Sequence, residues 1–359
     1  MFEHLDDSHS FVPDDDFRHG VFRRGRQLRL RRRIAAITTG LAVTLAGVGI
    51  AGVLYVDRRD AAIDRIDVVE EPSLDGATNI LLVGTDGRAG FEEDGAEDVI
   101  GNRSDTIVIV RLQTDGSVAL LPLPRDLQDP VTGERLNVAY NDGPQALIDA
   151  INETTGLPID HYVELDFAGF VALVDELGGV ELGVTRTLID THTGLRLGPS
   201  PCTTLDGDTA LALARSRHIE GDPTADLGRI ARGQAALAAV IGQLSEASGD
   251  PATIDRLTRV LADHAALDDG LTLGRLAEVA HALASAGPGR VTSTMLPMVD
   301  HQTPEGALML RLTPEAAAVL RTYGSPDDFV VPPASPATGE GGPGGGATPS
   351  VDPGIGPCS

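Results

Sequence analysis

Three apolar runs near the start of the long apolar-patterned region set the frame of the chain. Asn79-Ile-Leu-Leu-Val-Gly84 is continuously apolar, the pattern of a strand buried on both faces. Thr106-Ile-Val-Ile-Val-Arg-Leu112 is rich in β-branched residues, and Ser117-Val-Ala-Leu-Leu-Pro-Leu123 follows it after Gln113-Thr-Asp115-Gly116. Asp-Gly between apolar runs predicts a hairpin. A two-residue turn at Asp115-Gly116 sets Asp105 opposite Asp126 and Arg125 opposite Thr106. With the first strand running in the direction of the third, Asp86 and Arg88 join Arg103, Asp105, Arg125 and Asp126 at one end of the sheet, where α/β sheets tend to bind ligands. Carboxylates brought together repel, and a bound cation or interleaved arginines relieve the repulsion.

Further on, strand and helix periods alternate. Ala146, Leu147, Ala150 and Ile151 have helical spacing within 144–156, and Tyr162 to Asp166 alternates as a strand. Phe167 to Leu177 returns to helix and stops at Gly178-Gly179, and Val180 to Val184 is again a strand. A helix from about Asp208 carries Arg215 and Arg217 in its last turn. A second helix opens at Asp226 with an apolar face of Leu227, Ile230, Leu237, Ile241 and Leu244, and a polar face of Asp226, Arg229, Arg232 and Gly233. Residues 250–286 read as two more helices and 290–297 as a strand. This alternation predicts a layered α/β domain with helices on both faces of a sheet. The acidic, glycine-containing segment 88–102 is long enough to cover the strand ends as a flap.

The ends of the chain have a different character. Residues 1–33 form a polar tail with eight arginines, and 34–56 hold 23 residues without a charge. At 1.5 Å per residue that stretch reaches roughly 34 Å, enough for a bilayer core. The arginines before it orient the amino terminus to the cytoplasm and the rest outside, as an uncleaved single-pass anchor. Residues 57–75 read as a stalk, 76–328 as the catalytic domain and 329–359 as a disordered Pro/Gly-rich tail. All 28 basic residues are arginine against 53 acidic ones, a net charge of −25, which disfavours nucleic acid as a partner. The absence of lysine excludes Schiff-base and P-loop chemistry. Cys202 and Cys358 are the only cysteines. They form an internal bridge, stay unpaired, or bond between molecules.

Arginine forks match phosphate oxygens in pairs and stay charged at any working pH, so these clusters suit a pyrophosphate. Asp86 and Asp105 are oxygen donors suited to Mg²⁺ or Mn²⁺. His161 reads as structural, and His218 follows Arg217 without a triad partner.

Asn79 to Arg88, Arg103-Ser-Asp-Thr106, Leu123-Pro-Arg-Asp126, Leu157 to Glu164, Leu205 to Arg217 and Asp226 to Gln234 together resemble the LytR-CpsA-Psr family over roughly residues 76–328. The resemblance implies a three-layer α/β/α sandwich around a mixed sheet, on an N-terminal single-pass membrane anchor. It implies a phosphotransferase that moves a glycopolymer from a polyprenyl-pyrophosphate carrier to peptidoglycan and releases polyprenyl phosphate. Asp86 and Asp105 then resemble the metal aspartates. Arg103, Arg125, Arg215, Arg217 and Arg229 resemble the pyrophosphate arginines, with Asp126 and Asp226 orienting them and Arg88, Arg232 and Gln234 contacting substrate. The lipid needs an apolar tunnel, with the helices at 144–177 and 226–245 as expected walls. Two departures stand out: Gly233 replaces the first of two glutamines usual in the family, and Pro122 a usual small polar residue. Two alternatives remain open on these residues, a pyrophosphate hydrolase acting on the same lipid and a binding module without turnover.

Overall fold

The computed structural model describes residues 60–86, 104–222, 225–247, 250–276, 290–304, 306–332 and 353–358. The expected membrane span at 34–56, the flap at 88–102 with Arg88, and Arg103 lie outside the described residues. Among those described, no helix is long and apolar enough to cross a membrane.

In chain order, β1 (Asp64–Ile66), β2 (Thr78–Thr85), β3 (Ser104–Leu112) and β4 (Val118–Pro122) precede two helices, α1 (Leu136–Ala139) and α2 (Pro144–Thr155). Next, β5 (His161–Asp166) runs straight into α3 (Phe167–Glu176), because the Asp166 carboxylate caps the helix by accepting the Gly169 N–H at 2.6 Å. The middle of the chain holds β6 (Val180–Val184), β7 (Leu188–Asp190), β8 (Leu195–Leu197) and β9 (Ser200–Leu205). After them come α4 (Gly207–Arg215), α5 (Ala225–Ala247), α6 (Pro251–His264) and β10 (Ala265–Asp268). The last elements are β11 (Val291–Ser293), β12 (Met298–Gln302), β13 (Leu308–Leu312), α7 (Ala316–Thr322) and β14 (Ile355–Gly356).

Seven strands form one mixed sheet in the order β1-β10-β5-β2-β3-β4-β11. β2 is parallel to β5, and β3 is antiparallel to both β2 and β4, so the carboxyl ends of β2, β4 and β5 share one edge of the sheet. Side-chain alternation divides the core. Leu81, Val83, Ile107, Ile109 and Leu121 pack on one face with α2 and α7. Val108, Val118 and Leu120 pack on the other with Ile241 of α5. Each fully buried side chain of this size contributes about 1.5–3 kcal/mol.

The β3–β4 hairpin forms where Asp115-Gly116 predicts it, one residue out of the expected register. Ile109 faces Leu121 and Leu112 faces Val118, because the loop has three residues and Gly116 closes it at φ 80. Arg125 therefore falls one step past Thr106 and the strand ends still converge. β6 forms where the sequence predicts a strand, at Val180–Val184. A strand after α3 would extend the main sheet beside β5, but β10 already occupies that edge, so β6 pairs instead with β9 and β14 in a separate sheet. Within 250–286 the strand β10 separates α6 from a second stretch of helix that begins at Leu273.

The expected stalk at 57–75 is, from Asp60 onward, part of the domain. β1 pairs with β10, Ile63 is buried, and the Asp75 carboxylate binds the guanidinium of Arg111. Arg111, 4% exposed inside β3, also donates to Asn79 Oδ1 and the Tyr323 carbonyl, both at 3.0 Å. The end of the expected disordered tail returns as well: Ile355 pairs with Val184, and Cys202 and Cys358 form a disulfide.

His161 and Asp268 tie β5 to β10. Asp268 Oδ1 lies 3.2 Å from His161 Nδ1, and Asp268 also accepts the Tyr162, Gly270 and Leu271 N–H groups at 2.8–2.9 Å. The hydrogen bond to Asp268 raises the His161 pKa although burial opposes it. Burial likewise works against the Asp268 carboxylate, yet the His161, Glu70 and Tyr162 donors hold it down at about 2. A raised histidine contributes stability that is complete below its unfolded value of about 6.5 and is lost as the pH climbs through the folded one. The Asp268 contribution is constant there, being lost only in strong acid. The unfolding midpoint of the wild type is expected to fall between pH 6 and pH 8, and His161→Gln to flatten that slope. Equal slopes in thermal melts at the two pH values would rule out the coupling.

Candidate active site

The shared strand edge opens into a cavity of about 410 Å³ between the α5 face of the sheet, α3 and α5. Its walls are apolar, including Leu82, Val108, Phe170, Leu211 and Leu237, and four arginines line it: Arg125, Arg215, Arg217 and Arg229. The expected tunnel walls hold for α3 and α5 but not for α2. Leu147, Ile148 and Ile151 of α2 are buried on the opposite face of the sheet.

Each arginine is set by a different local device. Arg125 sits in the turn after β4, where its carbonyl accepts the Asn137 N–H at 3.2 Å and the Asp126 carbonyl accepts the Leu310 N–H at 2.9 Å. Asp126 lies 3.7 Å from Arg125 Nε and 3.0 Å from Arg135 Nε, so it bridges two arginines at the cavity edge. Arg215 ends α4, where the helix dipole favours a cation, and its guanidinium stacks 4.7 Å over the Phe167 ring. Ser216 then leaves the helical conformation, at φ −66 and ψ 122, so Arg217 lies beyond α4 rather than in its last turn.

Asp190 holds Arg217 in place. Its Oδ2 accepts the N–H groups of Arg217 at 3.0 Å and His218 at 2.9 Å, while Oδ1 accepts that of His192 at 2.9 Å. Asp190 is 1% exposed. Burial opposes its ionisation, but the N–H groups of His218, His192, Thr193 and Arg217 outweigh that cost and keep its pKa below the usual carboxylate range. Asp190, and the cavity-lining His192 and Thr193, escape a reading of the sequence. The only signal is Asp190-Thr-His-Thr-Gly194 between two short apolar runs, the mark of a tight hairpin.

Arg229, Ile230, Gly233, Gln234 and Leu237 of α5 line the cavity, a face spanning about 140° at 100° per residue. Arg232 falls about 60° outside it and does not line the cavity. The side chain is fully buried, with Nη1 2.7 Å from Asp222 Oδ2 and Nη2 donating to the Ser216 carbonyl at 2.8 Å. Arg232 and Asp222 thus clamp the segment that carries Arg217. Asp226 is the second residue of α5. Gln234 Nε2 is buried with no hydrogen-bond partner among the described residues, leaving a donor for a ligand oxygen.

At Gly233 an added Cβ would meet only the Ala214 carbonyl oxygen, at 3.9 Å, so the cavity has room for a side chain there. Gly233→Ala is expected to stabilise α5 by about 0.8–1 kcal/mol. A denaturant midpoint at or below that of the wild type would show that the glycine serves the packing.

Asp86 does not line the cavity. Asp86 follows the last residue of β2, and its charge contributes to raising the Tyr140 pKa, an effect led by burial. The ladder pairs Gly84 with Thr106 and Thr85 with Ser104, so Asp105 is the residue skipped at a bulge, at the same strand edge as Asp86. Two carboxylate donors at adjoining strand ends fit a hard divalent cation.

Comparison with known proteins agrees with this architecture. The chain is 27% identical to a LytR-Csp2A-Psr enzyme from Actinomyces oris, with a TM-score of 0.60, covering 74% of this chain and 96% of that one. It is 28% identical over 314 residues to the cell wall biosynthesis protein LcpA of Corynebacterium glutamicum, covering 74% of this chain and 60% of LcpA. Against the polyisoprenyl-teichoic acid–peptidoglycan teichoic acid transferase TagU of Halalkalibacterium halodurans it is 32% identical, covering 60% of this chain and 72% of TagU. The chain spans little more than half the length of the two Corynebacterium relatives, 60% of LcpA and 52% of LcpB. The LytR_cpsA_psr family profile matches residues 55–322, about three quarters of the sequence, and the chain belongs to that family.

Proposed function

We propose that this chain is a phosphotransferase that moves a glycopolymer from a polyprenyl-pyrophosphate carrier to peptidoglycan. One observation carries the reading: four arginines, on four separately fixed backbone positions, converge on a cavity whose walls are apolar. The arginines suit a pyrophosphate and the walls suit the first isoprene units of a lipid. The name of TagU supports the same substrate classes, and that of LcpA a part in cell wall biosynthesis.

In the reaction, a peptidoglycan hydroxyl oxygen attacks the phosphorus that bears the sugar. A phosphodiester bond forms, the bond to the bridging oxygen breaks, and polyprenyl phosphate leaves with the electron pair while the hydroxyl proton passes to solvent. Arg125, Arg215, Arg217 and Arg229 hold the two phosphates in line and neutralise the charge that grows on the departing one. Asp126 restrains the Arg125 fork, Asp190 fixes the backbone at Arg217, and the Gln234 amide donates to a phosphate oxygen. Asp86 and Asp105 would hold Mg²⁺ or Mn²⁺, which supplies further neutralisation of phosphate oxygens. Arg88 and Arg103 keep the roles of the matching family arginines, and Asp226 that of an orienting carboxylate.

The Cys202–Cys358 bond supports an oxidising compartment for the domain, and the uncharged stretch at 34–56 supports an anchor that presents it to a membrane-borne donor. The test is turnover of a synthetic polyprenyl-pyrophosphate sugar by the full-length chain in detergent, with Mg²⁺ and a peptidoglycan fragment. Sugar phosphate appearing on the fragment is the expected result. Free sugar phosphate without that product would replace the transferase with a hydrolase, and binding without turnover would leave a carrier module.

A further inference from the structure

The histidines at the cavity mouth have no part in the reaction as drawn. His192 and His218 both line the cavity, with ring centroids 4.3 Å apart. Behind them is the Asp190 carboxylate, and one ligand atom from each of the three residues falls within a set no more than 4.8 Å across. Asp190 is immobile, held by backbone donors: Oδ2 takes two N–H groups, while Oδ1, which accepts the His192 N–H at 2.9 Å, keeps the lone pair for an ion. His192 is 67% exposed and its Nδ1 lies 3.5 Å from Asp190 Oδ1; the His218 ring has no hydrogen-bond partner among the described residues. Both rings are therefore able to rotate the short distance that closes the set around one ion.

We propose that Asp190, His192 and His218 form a site for a divalent transition-metal ion, with its open side toward the arginine-lined cavity. Two imidazoles and one carboxylate are the donor set of zinc, cobalt or manganese rather than magnesium, and three protein ligands leave a position for a further oxygen. This separates the site from the all-oxygen pair of Asp86 and Asp105. A phosphate held by Arg215 and Arg217 supplies that oxygen, and this part rests on the proposed function. The same arginines repel a cation while the cavity is empty. Metal and phosphate must then tighten each other by one common factor, within about 5–150-fold.

Titrating the metal-free full-length chain in detergent with Co²⁺, and recording visible absorption, tests the site without turnover. The expected result is one ion per chain, at least about tenfold weaker in His192→Ala and in His218→Ala, with unfolding midpoints unchanged at these exposed positions. Adding inorganic phosphate is expected to lower the Co²⁺ dissociation constant of the wild type. Equal affinity in wild type and both histidine variants would overturn the site, as would loss of the Co²⁺ spectrum in Asp86→Asn alone. Loss in the histidine variants with no response to phosphate would uphold the metal site and sink its link to the arginines, and with it the anion-binding reading of the cavity.

Discussion

Arg125→Ala is expected to slow transfer by about 10²–10³-fold at saturating donor, with an unfolding midpoint close to that of the wild type. The side chain is 21% exposed at the cavity edge, 3.7 Å from the Asp126 carboxylate. The turn is held by its main chain, through the Arg125 and Asp126 carbonyls. Its loss therefore removes a charge and a fork while the main-chain bonds of the turn stay in place. The effect belongs in kcat more than KM, because the departing phosphate gains charge only as the bond breaks. Arg125→Lys restores the charge without the fork and is expected to recover only part of the rate. Initial rates with a synthetic donor and a matched thermal melt decide it. A rate within about twofold of wild type would remove Arg125 from the site.

Arg232→Ala acts through the opposite route and is expected to destabilise the fold by about 3–5 kcal/mol. It takes the 2.7 Å guanidinium from the Asp222 carboxylate, only 2% exposed, which keeps Arg186 at 3.4 Å, and it leaves the buried Ser216 carbonyl without its donor. Replacing both partners by apolar residues, Arg232→Met with Asp222→Leu, removes the buried carboxylate as well and is expected to recover part of the loss. Urea unfolding of the two single variants and the pair measures the coupling. Additive losses would mean that the two side chains do not act as a unit. Because the clamp sets the backbone on either side of Arg217, Arg232→Ala should also lower transfer where the protein is still folded.

The contrast between these two arginines marks how far the sequence can be read. The strands from 79 to 123 and the helices at 144, 167, 208 and 226 follow from local periodicity and turn chemistry, which act over a few residues, whereas the grouping of Arg125 with Arg215, Arg217 and Arg229 comes from the family resemblance. The burial of Arg232 follows from a difference of 60° about one helix, invisible when every third or fourth residue is counted as one face. β10 escapes because Ala265-Ala-Leu-Asp268 continues the apolar spacing of α6, and only the open edge of β5 turns it into a strand. β1 is too short and charged to register, and its pairing with β10 joins residues some 200 apart. Arg111 interrupts an apolar run as though facing solvent, while Asn79, Asp75 and the Tyr323 carbonyl, all brought there by the fold, receive it. Asp190 and His192 carry no pattern of their own. They matter because a hairpin lays them against the end of α4.

The disulfide has a mechanical consequence. Cys202 and Cys358 are 156 positions apart, so the bond closes a ring that holds α4, α5, α6 and three of the four cavity arginines, with Arg125 outside it. A pull applied between Asp60 and Cys358 crosses from sulfur to sulfur and bypasses everything between, so tension can unravel β1 to β8 yet cannot lengthen residues 203–357. Once the bond is reduced, the same pull gains an extra contour on the order of 500 Å. The oxidised chain thus carries load through its first half while Arg215, Arg217 and Arg229 ride in a slack loop.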